Sequence, residues 1–242
     1  MALEKIRGIV VSTVKHNDRH NVVTLYTRER GRMAFISSVG KSSKGRGRNA
    51  RLLPLSVIDT EVNIKGNEDL YLLGAVAPAE IWHDLYFNPV KSAIALFLSE
   101  FLNRYLREMT QDTATWNFII NSLRALDSSV KGLSNFHIWF LIRFLEIAGI
   151  SPDLSELEDG DWFDMRAGMV VAEAPPHQDS LTPADTSRLA ILCRISLKNL
   201  HKFRFSGNER RVILDRLLQY YAVHFPGLSS LKSLDILSEV FG

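Results

Sequence analysis

The hydrophobic period changes once along this chain, and the change falls between residues 77 and 89. Before it, short segments are rich in β-branched residues and alternate in polarity. Residues 6–15 carry Ile9, Val10, Val11, Thr13 and Val14 and stop at the polar run HNDRHN. Residues 22–27 alternate as a second strand, and the turn RERG then puts Gly31 where left-handed backbone is wanted. Residues 32–39 make a third strand, 53–64 a fourth and 70–76 a fifth, with a turn at 65–69. Five strands in so short a span are too few for a sandwich but suit a small closed barrel of the OB type. An SH3-like barrel has the same periodicity and stays open at this point.

Beyond Pro89 the apolar residues recur at spacings of three and four: Val90, Ile94, Phe97, Leu98, Phe101, Leu102 and Tyr105. A second helix is expected over 112–126, with Asp112 as its N-cap. A third runs over 135–148 and ends at Gly149, ahead of Ser151-Pro152. Residues 161–173 read as a small hairpin with Gly168 in its turn. Thr182 caps a helix opened by Pro183 and running to about 197. Helices near 208–223 and 231–240 complete the chain. The reading is therefore an α+β multidomain protein: an N-terminal OB-fold β-barrel over 1–78, then an all-α helical domain over 79–242, with a small inserted β-hairpin module at 158–180.

At 242 residues, 46% hydrophobic and 23% charged, the composition is that of an ordinary soluble globular protein with a sizeable core. The opening MALEKIRGIVVSTVK mixes both charges and has no apolar h-region, so no signal peptide is read there. The most apolar stretch, 136–150, is interrupted by Arg143 and Glu146, which fits a buried helix better than a membrane span. A cytoplasmic, nucleoid-associated location is expected, with no membrane contact.

Charge is unevenly placed. Residues 1–77 hold 13 Lys and Arg against 7 Asp and Glu, whereas the remaining 165 residues hold 16 against 20. The excess gathers in GKSSKGRGRNAR at 40–51, where Lys41, Lys44, Arg46, Arg48 and Arg51 are separated by Gly and Ser with no acidic residue among them. Nothing apolar in that run can pack, so its cations suit a phosphate backbone, where counterion release gives sequence-independent affinity. Arg7, Arg30 and Arg32, with Arg28, Lys5, Lys15 and Arg19, would extend this charged surface for nucleic acid. Aromatic platforms for stacked bases are scarce. The chief candidates are Tyr26, Phe35 and Tyr71, of which Tyr26 and Phe35 sit in strand interiors and read as core, so base preference should be weak. A second basic concentration, with Lys198, Lys202, Arg204, Arg210 and Arg211 around Phe203 and Phe205, fits either DNA or an acidic protein tail.

No residue pattern points to catalysis. Cys193 is the single cysteine and lies among apolar neighbours, which excludes disulfides within the chain and zinc sites built on two or more thiolates. His16, Asp18 and His20 read as a polar turn rather than metal ligands. Asp161, Asp164, Glu173, His177 and Asp179 lack the helical spacing of a divalent-cation site. A phosphate-binding loop, GxSxG and HExxH are all missing. No catalytic residue, metal or cofactor is expected.

Several colinear segments resemble the RecO family of recombination mediators. Gly8-Ile9-Val10-Val11, Thr24-Leu25-Tyr26-Thr27 and Gly31-Arg32-Met33 are similar to its opening strands, Val39 to Lys44 to its basic connection, and Leu53-Pro54-Leu55 to the strand after it. Asn88-Pro89, Phe97-Leu98-Ser99-Glu100, Asn135-Phe136-His137 and Gly149-Ile150-Ser151-Pro152 match family patterns in the helical part. Tyr220-Tyr221-Ala222-Val223-His224 and Leu231-Lys232-Ser233-Leu234 do so near the end. The resemblance implies an OB domain followed by a helical one. It also implies binding of single- and double-stranded DNA, strand annealing, and contact with RecR and with single-stranded-DNA-binding protein (SSB). The functional links it implies are to RecA and RecF. Many relatives carry a four-cysteine zinc site in the inserted module. Here that segment has no cysteine, as in the compact type of Bacteroides-like bacteria, so either Trp162, Phe163, Met169 and Val170 hold it by packing or it is mobile. The alternative reading is a protein–protein scaffold for SSB and RecR with only weak DNA contact.

Overall fold

The computed structural model describes residues 2–39, 50–64, 69–228 and 231–241. By packing, the chain divides into two compact units, Met1–Leu123 and Arg124–Gly242.

The first unit is built on a curled six-stranded sheet in the order β5-β3-β2-β1-β4-β6. Its strands are β1 (Ala2–Lys15), β2 (His20–Thr27), β3 (Gly31–Ser38), β4 (Val57–Ile64), β5 (Tyr71–Leu72) and β6 (Val76–Pro78). The curl follows from the connections. β5 runs parallel to β3 at one edge, and β6 runs antiparallel to β4 at the other. Only residues 73–75 join them, so the two edges stand at most about 14 Å apart. A flat sheet of six strands would separate them by about 24 Å. Curling is thus required, and it gives the OB-type barrel expected from the strand count. Gly74 marks the closure, because a Cβ there would stand 2.3 Å from the Glu61 carbonyl oxygen.

Inside lie Ile6, Val10, Leu25, Phe35, Ile58 and Val62, all buried. Alternation is clearest in β3, where Gly31, Met33, Phe35 and Ser37 face inward. Gly31 takes φ +68, as its turn required, and a Cβ on it would meet the Gln111 backbone nitrogen at 2.6 Å. The long strand β1 serves two partners through a bulge between Val10 and Ser12. Past the bulge it leaves β4, and Val10 instead exchanges backbone hydrogen bonds with Leu55 and Ser56.

Two differences from the sequence reading have local causes. Residues 53–56 form a turn rather than strand: Leu55 is buried at φ +63. Its amide donates to the Val10 carbonyl, and its own carbonyl accepts from the Trp82 indole, which together hold it in that conformation. The expected fifth strand is split in two by the closure at Gly74.

Two helices complete this part of the chain. α1 (Pro89–Tyr105) starts at Asn88, whose side chain accepts from the amides of Val90 and Lys91. It is seated against β1, where the Ser99 hydroxyl donates to the Val11 carbonyl. α2 (Thr113–Ser128) is capped by Asp112, which accepts from the Thr115 amide at 2.6 Å.

In the second unit α3 (Phe136–Ile147) is apolar nearly all round and accordingly buried. Two groups fix it along its length: the Tyr221 hydroxyl donates to Leu141 O, and the Arg143 guanidinium donates to the carbonyls of Cys193 and Ile195. That last contact uses the chain just past α4 (Pro183–Leu192), which ends five residues sooner than its apolar pattern predicts. α5 (Gly207–His224) opens with a capping box between Ser206 and Glu209, and α6 (Ser233–Phe241) follows.

The inserted module is a three-stranded sheet, β8-β7-β9, of β7 (Trp162–Asp164), β8 (Met169–Val171) and β9 (Ser180–Leu181). Its packing differs in part from expectation. Phe163 is buried, but Met169 is 46% exposed, and Met165 takes the inner position instead. His224 of α5 meets the Met165 carbonyl at 2.9 Å, and Tyr220 stacks edge-on against Phe163. Polar contacts tie the outer side: Asp164 accepts from the amides of Arg166 and Ala167, and Arg166 bridges to Asp179 at 2.7 Å.

Candidate nucleic-acid interface

Lys41, Lys44, Arg46 and Arg48 lie outside the described residues, but the residues that flank them are placed. The Val39 amide donates to the Arg19 carbonyl at the β1–β2 turn, and Thr13 near the same end of β1 donates to Leu52 O. Both flanks of the basic segment therefore leave the barrel beside the β1–β2 turn. That turn presents Arg19, exposed and without a carboxylate partner among the described residues, and the exposed pair Lys15–Asp18. Arg51 is exposed too, and its Nη1 donates to the Val76 carbonyl at 2.7 Å, across the seam where β6 closes the sheet.

Of the other predicted cations of this unit, Arg7, Arg30 and Arg32 are already engaged. Arg7 makes a two-pronged bridge to Asp59, its neighbour across β1 and β4, at 2.7 and 2.8 Å. That bond raises the guanidinium's pKa and lowers the carboxyl's. Arg30 grips Glu4 in the same two-pronged way. Arg32 faces Asn103 of α1; burial, and then the charge of Arg107, pushes its pKa down. Lys5 and Arg28 have no carboxylate partner among the described residues. They border a groove of ≈ 640 Å³ that also holds Glu29, Asp59 and Glu61. Sequence reasoning treats these cations alike. Which of them has a carboxylate opposite is decided by cross-strand register, and the local sequence carries no signal for it.

The barrel's aromatic residues are all buried: Phe35 and Tyr71 belong to its core, while Tyr26 packs outward against Trp116 of α2. Tyr26 and Phe35 are fully buried and Tyr71 is 6% exposed, so none offers a face to a base. Tyr26 is further tied at its hydroxyl to the backbone of Asp112.

Among the second basic group, Lys198, Lys202, Arg204 and Arg211 are exposed, while Arg210 is turned inward. Its guanidinium donates to the carbonyls of Phe205 and Phe241 and lies over the Phe241 ring at 5.7 Å. The sequence gives no sign of a cavity of ≈ 290 Å³ between α4 and α5. Leu189, Leu192, Val212 and Leu217 line it; Glu209 is also in its wall, as are Arg188 and Arg216, both paired with Asp185. Among the described residues, no three His, Cys, Asp or Glu side chains gather as metal ligands, and no helix is long and apolar enough to cross a membrane.

Comparison with known proteins covers nearly the whole chain. The family model described as recombination protein O, N terminal, matches residues 1–82, and its C-terminal counterpart matches residues 86–235. The chain is similar to a DNA repair protein RecO of Phocaeicola vulgatus, 37% identical over 242 residues and 99% of each chain. It is similar to one of Bacteroides fragilis at 33%, again over 99% of each, and to one of Flavobacterium johnsoniae at 29% over 98% of each.

Proposed function

Since this chain belongs to the RecO family of DNA repair and recombination proteins, we propose that it is a recombination mediator that works by binding rather than by catalysis. In this reading residues 1–78 are the DNA-binding domain, 79–242 the helical domain and 158–180 its insertion. The protein holds single- and double-stranded DNA, anneals complementary strands, and helps RecA replace SSB on gapped DNA in the RecF pathway, with RecR as a partner. It acts in the cytoplasm at the nucleoid and needs no cofactor.

The observation that carries the reading is the run of cations at 41–51, flanked by residues placed beside the β1–β2 turn of an OB-type barrel, in a chain matched by the family along nearly its full length. Replacing Lys41, Lys44, Arg46 and Arg48 by Ala, while Arg51 stays to close the sheet, should weaken binding. The dependence of log affinity on log salt should flatten by about 0.7 for each single-strand phosphate that is no longer neutralised. An unchanged affinity and slope would sink the loop's role.

The second reading, a scaffold for SSB and RecR, draws on the apolar lining of the cavity between α4 and α5. A groove of this kind suits the hydrophobic residues of the SSB tail. Titrating the full chain with a tail peptide separates the readings: Val212→Glu should abolish peptide binding and leave DNA binding intact.

A further inference from the structure

Residues 194–211 carry six Lys and Arg against one carboxylate, Glu209. That carboxylate is already committed to the cap of α5, where it accepts from the amide and hydroxyl of Ser206. Lys198, Lys202, Arg204 and Arg211 are exposed and have no carboxylate partner among the described residues. The chain between them is not loose. A short 3-10 turn, Leu200–Lys202, leads into an extended stretch to Ser206. The buried Asn135 donates to the carbonyls of Leu200 and Phe203, and Arg210 donates to that of Phe205. With these backbone oxygens held from within, Lys202 and Arg204 stand outward on a fixed ribbon. Ordering such cations on a ligand then costs less chain entropy than ordering them on a free loop.

Between the cations sit Phe203 and Phe205, half-buried, with ring centroids 5.9 Å apart. The neighbouring cavity of ≈ 370 Å³, lined by Asn208, Arg211 and Ser238 among others, has no Asp or Glu among the described residues of its lining. Cations alternating with partly exposed aromatic rings are what a single nucleic-acid strand needs, phosphates on the first and bases on the second. The described residues of the barrel lack that second component.

We propose that this ribbon, with Lys198, Lys202, Arg204 and Arg211, is a second binding surface for single-stranded nucleic acid, separate from the 41–51 segment. This deepens the DNA-binding reading, on which it rests: annealing requires two strands at once, and each unit of the chain then holds one.

The test titrates the full chain with an oligo-dT of about ten nucleotides, within the usual site size of one such surface. Three proteins are compared: the wild type, the ribbon variant Lys198→Ala/Lys202→Ala/Arg204→Ala, and the loop variant of Lys41, Lys44, Arg46 and Arg48. The wild type should take up two oligonucleotides per chain and each variant one. The ribbon variant's total salt slope should fall by about 2, from three cations at about 0.7 each. All three ribbon side chains are exposed, so the melting temperature should not move, which separates impaired binding from impaired folding. If the wild type binds DNA and the ribbon variant matches it in stoichiometry and slope, the ribbon proposal is overturned and the DNA-binding reading stands. If the ribbon variant keeps its DNA but loses affinity for a poly-glutamate peptide, the surface serves an acidic protein instead, and the proposal again fails. If the wild type binds no DNA, both fall together.

Discussion

At the scale of single residues, burial sets how the titratable groups inside this protein hold their protons. His137 is the sharpest case. Full burial, and secondarily the charge of Arg210, pushes its pKa down to about 3. The unfolded chain takes up that proton near the ordinary histidine value of about 6.5. Between those two values the unfolded state binds more protons, so this group's contribution to stability is complete above about pH 6.5 and is lost as the pH falls. The loss is at most about 1.4 kcal/mol per pH unit. Denaturant unfolding at pH 7 and pH 5 should show a smaller difference in His137→Phe than in the wild type; equal differences would mean the imidazole is not neutral when folded. Cys193 has its thiol pKa raised by burial. Its reaction with a disulfide reagent at pH 7.5 or so should be slow in the native protein and fast after unfolding. The Arg7–Asp59 bridge is two-pronged, but both side chains are over 40% exposed, so Asp59→Asn should cost only about 1 kcal/mol or less.

At the scale of elements, boundaries follow local chemistry and departures follow closure. The starts of α1, α2, α4 and α5 lie at Asn88, Asp112, Thr182 and Ser206, each accepting a backbone hydrogen bond as the cap rules require. Three of those caps, or the proline beside them, are legible in the sequence. The ends are harder to read. α4 stops at Leu192 because Arg143, from another helix, takes up the carbonyls of the next turn. No local residue announces that contact. Glycine carries the tightest constraints in the barrel. Gly74→Ala would drive a methyl group into the Glu61 carbonyl, and Gly31→Ala would add backbone strain to a clash with Gln111. Each should lower the unfolding free energy by at least about 2 kcal/mol, read by chemical denaturation. A change of a few tenths of that size would mean that the close approaches relax easily.

At the scale of the whole molecule, binding should rest on phosphate contacts in the first unit, because Tyr26, Phe35 and Tyr71 are all buried, the first against α2 and the others in the barrel core. With the ribbon at 198–204 replaced as above, affinities for oligo-dT and oligo-dA at one salt concentration should agree within about threefold. A stacked base is worth about 1–3 kcal/mol, and base-dependent stacking would separate them further. A large gap between the two oligonucleotides in that variant would place an aromatic platform in the first unit after all. The cations themselves divide by pairing rather than by number. Arg7 and Arg30 are matched by carboxylates across the sheet, whereas Lys5, Arg19 and Arg28 have none among the described residues. The candidate surface is therefore smaller than a count of positive residues suggests.

What the sequence determined by itself was set by chain-local physics. The change from a two-residue to a three-to-four-residue apolar period separates barrel from helices. The caps start the helices, the glycines mark the turns, and the run at 41–51 carries charge that nothing nearby in sequence offsets. Tertiary structure decided what depends on residues distant along the chain. The three-residue link between β5 and β6 curls the sheet, and cross-strand register pairs Arg7 with Asp59 while leaving Arg28 without such a partner among the described residues. Packing turns Arg210 inward onto Phe241 while Lys202 and Arg204 stay outside. Periodicity and capping act within a few residues, whereas whether a charge is matched or free depends on which strand or helix comes to lie beside it.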